Sequence, residues 1–263
     1  MNGRPVRGAS DAARLAGKHG GSGKMIEVEG LEKRFGKVVA VDGATFAAKD
    51  GAITTLLGAN GSGKTTTLSA AMALLKPDAG TVKVDGIDVR ADAKGARRRI
   101  GWFPDAFGLY PRLTAREHVR YFGQLHGKKG PDLETAIQAI FDELDMGEIA
   151  DRRTEGFSTG QRMKVALARA MVHAPQNLIL DEPTRGLDIM SVRLLRATLR
   201  RLRAEGRAIL MSSHVMAEVE DLSDHVVVIS AGRVVGTGTP SELVEKTGMP
   251  NLEEAFVSLA VQS

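Results

Sequence analysis

Cysteine is absent from the 263 residues. No disulfide framework can form and no thiolate can hold a metal, so the fold does not depend on an oxidising compartment. Long apolar runs are missing as well. Stretches such as Val226–Ile229 fall far short of the ~20 residues that cross a bilayer, so any pore that this chain serves has to lie on another chain. A basic body is lacking too. The net charge of +4 suggests a nucleic-acid partner at first sight. Yet Arg4, Arg7, Arg14, Lys18 and Lys24, set against Asp11 alone, carry the whole excess, and the remaining residues balance. This Gly/Ala/Arg-rich leader, residues 1–24, has no apolar core and is not a secretory signal. It reads as a disordered extension that ends in the flexible Gly20-Gly21-Ser22-Gly23-Lys24, with Met25 opening the folded unit; a transit peptide is the alternative.

What is present is ordinary for a globular protein: 43% hydrophobic and 26% charged residues, over a length that suits one large domain or two modest ones. From Met25, short apolar runs alternate with helical stretches. Met25–Val28, Val38–Phe46 and Ala52–Leu57 read as strands broken at Gly36 and at Asp50-Gly51, and Thr65–Leu75 reads as a helix stopped before Lys76-Pro77. Val82–Val89 reads as a hairpin about Asp85-Gly86, and Arg99–Phe103 as a strand. Residues from Thr114 to Met146 are rich in helical pattern and interrupt the alternation, so an inserted helical subdomain is expected over about 105–160. Strand Leu178–Leu180, an amphipathic helix Val192–Arg203, strand Ala208–Met211 and a hairpin about Ala231-Gly232 follow. The expected class is α/β: a mostly parallel core sheet, an antiparallel β subdomain and the helical insertion, within a domain spanning 25–240 and followed by a helical tail, 241–263.

Gly58-Ala59-Asn60-Gly61-Ser62-Gly63-Lys64-Thr65-Thr66 satisfies G-x-x-x-x-G-K-[ST] between an expected strand and an expected helix, the context that this phosphate-binding pattern requires. Its glycines let successive backbone N–H groups point at one anion, and the helix N-terminus adds partial positive charge. Lys64 can reach the outer phosphates of ATP, and the Thr65 hydroxyl can ligate Mg²⁺. Gly21-Ser22-Gly23-Lys24 imitates the pattern, but no strand precedes it and Met follows it. Leu178-Ile179-Leu180-Asp181-Glu182-Pro183 is a buried-strand pattern ending in two acids at the edge where α/β folds bind ligands. Alone, such a pair caps a loop as often as it catalyses. Beside a phosphate cradle, Asp181 is placed to hold Mg²⁺ and Glu182 to polarise an attacking water.

Phe157-Ser158-Thr159-Gly160-Gln161 precedes a helical run, Arg162–Val172. It is similar to the Leu-Ser-Gly-Gly-Gln signature of ABC ATPases, with Phe157 for Leu and Thr159 for the first Gly. The resemblance covers residues 25–257. It implies that Ser158, Gly160 and Gln161 meet the γ-phosphate held by a second subunit, so that two copies, or two related chains, sandwich two nucleotides. It further implies that Phe35 stacks on adenine with Val41 beside it, that Gly186-Leu187-Asp188 joins the paired subunits, and that His214 senses the γ-phosphate. Without the resemblance, Phe35 reads as an ordinary core residue, Ser158 as a helix cap and His214 as a hydrogen-bonded surface histidine. His19, His118, His126, His173 and His225 match no motif and read as structural or solvated. Where the family usually carries Gln, this chain has Pro104-Asp105; Asp105 is expected to take over that contact to Mg²⁺, directly or through water.

Gly108-Leu109-Tyr110-Pro111-Arg112-Leu113-Thr114-Ala115-Arg116-Glu117 and Asn251–Val257 resemble the ABC-2 export class, including bacterial NatA-like sodium-export subunits. The resemblance implies a cytoplasmic ATPase peripheral on the inner face of the membrane, contacting a polytopic permease on a separate chain through residues 105–125, with export of sodium favoured. The competing reading is a soluble ABC-type ATPase acting on nucleic acid or translation. Such proteins carry paired cassettes or long coiled coils, and this chain has one cassette, no sustained heptads and a neutral body, so no nucleic-acid partner is expected.

Overall fold

The computed structural model describes residues 25–261, so the leader expected over 1–24, with His19, lies outside the described residues. Two sheets form the frame. The first is antiparallel, in the order β2 (Val38–Lys49), β1 (Met25–Phe35), β4 (Ala79–Val84), β5 (Ile87–Asp88). The second runs β10 (Arg233–Gly238), β9 (His225–Ser230), β3 (Ile53–Leu57), β8 (Ala208–Ser213), β7 (Asn177–Leu180), β6 (Ile100–Phe103), and all its pairings are parallel except β9 with β10. Its central strands β3, β7 and β8 are buried throughout, as expected of strands covered on both faces and built from continuous apolar runs.

Helices α1 (Lys64–Ala71), α2 (Ala93–Arg98), α3 (Ala115–Leu125), α4 (Gly130–Glu143), α5 (Thr159–Met171), α6 (Ile189–Ala204), α7 (Met216–Leu222), α8 (Pro240–Thr247) and α9 (Leu252–Val261) complete the described chain. One core joins α3, α4, α5 and α6 to the parallel sheet through Phe103, Phe141, Leu167, Leu180 and Leu199. A second lies between the two sheets around α1, with Ile26, Leu56, Leu68 and Val82. A third packs α7, α8 and α9 onto β3 and β9 through Leu57, Val219, Val226, Leu243 and Leu252. The helices of the insertion share their core with the parallel sheet.

Several boundaries differ from expectation. Strand β1 continues past Val28 to Phe35 because bulges, rather than a turn, absorb Gly30. Gly30 takes φ +57°, and Gly80 sits so close to it that a Cβ there would lie 2.1 Å from the Gly30 carbonyl oxygen. A bulge hides the alternation on which strand reading depends. Helix α1 ends at Ala71 rather than Leu75, since Ala73 turns left-handed at φ 54°. Helices α2 and α7 are too short for an apolar period to show. Both expected hairpins form, with left-handed pairs at Asp85-Gly86 and Ala231-Gly232, the geometry that matches strand twist.

Candidate active site

The chain leaves β3 at Leu57 and enters α1 at Lys64 through a loop with no room for side chains at two glycines. A Cβ on Gly58 would lie 2.4 Å from Ser62 Oγ and 2.5 Å from the Ile229 oxygen; one on Gly63, where φ is +107°, would lie 2.4 Å from the Ala40 oxygen. The loop is pinned from outside: Ser62 O accepts from Gly232 N at 3.0 Å, and Gly232 O accepts from Asp42 N at 2.8 Å. Ser62 Oγ is buried with no partner, a polar atom turned into a cradle that an anion-binding loop would satisfy. Asn60 and Gly61 are exposed on its rim, Thr65 is exposed at the start of α1, and Thr66 is half-buried.

Lys64 is buried and folded back over this loop. Its Nζ donates to Gly58 O at 2.7 Å and to Ala59 O at 3.2 Å, and it pairs with Glu182 Oε1 at 3.2 Å. That ion pair lacks the alignment of a hydrogen bond, which leaves Oε1 without one. The other oxygen, Glu182 Oε2, lies 2.8 Å from His214 Nδ1. Glu182 takes φ 46°, a conformation seldom adopted by residues other than glycine and found where surroundings enforce it. Enforcement comes from Ser212, whose hydroxyl accepts from Glu182 N at 2.9 Å and donates to Asp181 Oδ1 at 2.6 Å. Behind it, the Glu218 carboxylate takes the Thr184 hydroxyl at 2.6 Å and the Ser213 hydroxyl at 3.4 Å. Strand β8 thus fixes the acids at the end of β7. Ala40, Ser212 and Glu218 escaped the sequence reading; the one available sign was Ser212-Ser213, two hydroxyls closing an apolar strand.

No group of three or more acidic or imidazole side chains forms a protein-only metal cage among the described residues. An exposed Thr65 hydroxyl and the Asp181 carboxylate suit Mg²⁺, which keeps most of its shell as water and phosphate oxygen. Lys64, Glu182, His214, Asp181 and the 58–66 loop are brought together as expected. Asp105 is not bonded to them: its Oδ2 pairs with Arg185 Nη1 at 2.9 Å. Phe35 is 51% exposed at the end of β1, with Lys33 Nζ over its ring at 5.6 Å from the centroid. Val41 corrects the expectation, because it is wholly buried in the core between the sheets and has no surface left for a base; what the β2 backbone brings to the loop is the Ala40 carbonyl.

Ser158 caps α5 in a reciprocal box: its Oγ accepts from Gln161 N at 3.2 Å, and Gln161 Oε1 accepts from Ser158 N at 3.1 Å. Gly160 is needed because a Cβ would lie 2.3 Å from Ser191 Oγ. Asp188 caps α6, taking Ser191 N at 2.9 Å and Ser191 Oγ at 2.8 Å. Those two donors hold its carboxyl below the usual aspartate range. The starts of α5 and α6 are therefore neighbours, and the two motifs form a single surface.

A strand, a glycine loop closed over a lysine, and paired acids at the end of β7, separated from β3 by β8 alone, define a phosphate-binding-loop ATPase. Comparison with known proteins narrows the class. The family model described as ABC transporter matches residues 41–185. The ABC transporter ATP-binding protein NatA of Bacillus subtilis is 38% identical over 243 residues, 90% of this chain and 99% of that protein. The Nod factor export ATP-binding protein I of Ralstonia nicotianae is 37% identical over 224 residues, 85% of this chain and 70% of the relative. Among solved structures, the ATP-binding subunit of an ABC transporter superposes with a TM-score of 0.83 at 28% identity, covering 89% of this chain and 99% of that one. A dimeric bacterial ABC transporter cassette gives 0.75 at 25%, covering 82% and 98%. The chain belongs to the ABC transporter family as an ATP-binding, ATP-hydrolysing subunit.

Proposed function

We propose that this subunit drives an exporter, and that Glu182 is its general base. The observation that carries this reading is the double restraint on the Glu182 carboxylate, between Lys64 Nζ and His214 Nδ1 at the mouth of the glycine loop. When ATP enters, phosphate oxygens compete for Lys64 through charge-assisted contacts, and Oε1 is released to accept a proton from water. His214 keeps the other oxygen fixed and lies close enough to register the γ-phosphate. The loop 58–66 holds the phosphates. Thr65 and Asp181 would hold Mg²⁺, which would supply charge neutralisation on the phosphates, and Phe35 stacks on adenine. Asp105 would contribute to the metal's shell, directly or through water.

Ser158, Gly160 and Gln161 of one copy complete the site of a second copy, with the Asp188 loop beside them. Exposed Ile189 and Met190 next to Asp188 provide apolar surface for that pairing. A paired chain of related sequence would serve as well. The membrane partner docks at a groove of about 490 Å³ where Trp102, Phe107, Phe122 and Leu125 meet buried Arg169; much of its lining comes from residues 104–126. On this reading the subunit sits on the inner face of the membrane beside a polytopic permease. Export follows the relative named for Nod factor export. Sodium is the favoured cargo by likeness to NatA-like subunits.

The decisive experiment is Glu182→Gln. Phosphate release should fall to background while ATP induces a stable dimer on light scattering. Turnover within a few-fold of the unsubstituted chain would remove Glu182 from the base role.

A further inference from the structure

We infer that Arg185 is a positioning residue that neutralises Asp105 and ties the entrance of the helical insertion to the turn carrying Glu182. The inference rests on the reading of this site as the Mg·ATP site. Strands β6 and β7 run parallel with Phe103 opposite Leu180, and Asp181 N donates to Phe103 O at 2.9 Å. Their C-terminal ends therefore put three carboxylates on adjoining chain segments: Asp105 two residues beyond β6, and Asp181 and Glu182 directly beyond β7. Glu182 has Lys64 and His214, and Asp181 has the Ser212 hydroxyl. Asp105 has Arg185, at 2.9 Å.

Arg185 is well placed to transmit this contact. Its backbone N donates to Glu182 O at 3.1 Å, and Leu187 N donates to Thr184 O at 3.1 Å, so residues 182–187 form two overlapping turns that end at the Asp188 cap. A shift of Asp105 pulls on the same turn that holds Glu182 at positive φ. Electrostatics requires the partner. A bare carboxylate at this edge repels a polyphosphate, and a guanidinium on it removes most of that repulsion. Both side chains are partly open to water, 64% for Arg185 and 39% for Asp105, which keeps the pair weak and able to open.

The test is a double-substitution cycle read by equilibrium binding of a non-hydrolysable ATP analogue. Trp102, the sole tryptophan, lies one residue before the end of β6 and serves as the fluorescent reporter. Arg185→Ala should weaken binding about two- to fivefold, the range of an exposed ion pair, with more loss when Mg²⁺ is chelated than when it is present. Asp105→Asn in the same chain should restore affinity to near that of Asp105→Asn alone, and Arg185→Lys should recover part of the loss. Arg185→Gln, which keeps the length and polarity of the side chain, should behave like Arg185→Ala with unchanged melting. Equal losses with and without the Asp105 carboxylate would show that Arg185 touches nucleotide itself and overturn the inference. Unchanged affinity in Arg185→Ala would overturn it as well. Failure of the unsubstituted chain to bind the analogue would instead strike the reading of the site on which the inference stands.

Discussion

Lys64 is the residue on which the proposed ATP site depends most. In the structure its ammonium is satisfied by two loop carbonyls and the Glu182 carboxylate; in the proposed ATP site, phosphates would take the place of at least one of these. Truncation removes a charge-assisted contact worth more than a neutral hydrogen bond. Lys64→Ala should therefore weaken ATP by about tenfold or more, as ~1.5–3 kcal/mol implies, in a filter-binding or calorimetric titration. Unchanged affinity would contradict the cradle. Other assignments at this scale depended on context that residue type cannot supply. A valine among exposed neighbours in β2 looks as suited to a base as to a core, and burial alone assigns Val41 to the core. Asp105 reads as a metal contact by position, yet Arg185, 80 residues away, holds it.

At the scale of elements, the caps of α5 and α6 matter most, because they present Ser158 and Asp188 on one surface. Asp188 is held ionised by the Ser191 N–H and hydroxyl, and its carboxyl titrates below the ordinary aspartate value. A depressed folded value means that the stabilisation is present above the unfolded value, about pH 4, and disappears as pH falls through the folded one. Asp188→Ala should lower the melting temperature by a few degrees at neutral pH, and the gap to the unsubstituted chain should close in acid. A gap independent of pH would mean that the cap works without its charge. The start of α5 was legible beforehand, since Ser-x-x-Gln states its own hydrogen bonds, whereas α6 was expected from Val192 and starts at Ile189 under the Asp188 cap. Ends set by bulges and left-handed residues, as in β1 and α1, were not legible.

Over the whole molecule, buried and half-buried histidines link stability to pH. His118, His126, His173 and His225 all titrate below the usual imidazole value, chiefly because burial disfavours their charged form. His173 is the extreme, pushed down to about 3. It stacks on His126 at 3.5 Å between ring centres, and its Nε2 donates to the Ile100 carbonyl at 3.1 Å. Between that value and the unfolded one near 6.5, the unfolded chain binds the extra proton, so stability falls as pH drops through this window. His173→Gln should flatten the decline of melting temperature from about pH 6.5 to 4. A decline as steep as before would place the acid sensitivity elsewhere.

The sequence alone was enough to give the α/β class and to single out the phosphate-loop pattern, the paired acids and the helix-start signature, because each is written in contiguous residues with its own local geometry. Only tertiary structure could show that Ser212 orients both acids, that Lys64 rests on Glu182, that Ala40 closes the loop at Gly63 and that Arg185 shields Asp105. Those relations join segments distant along the chain, and no spacing rule records a distance that folding alone creates.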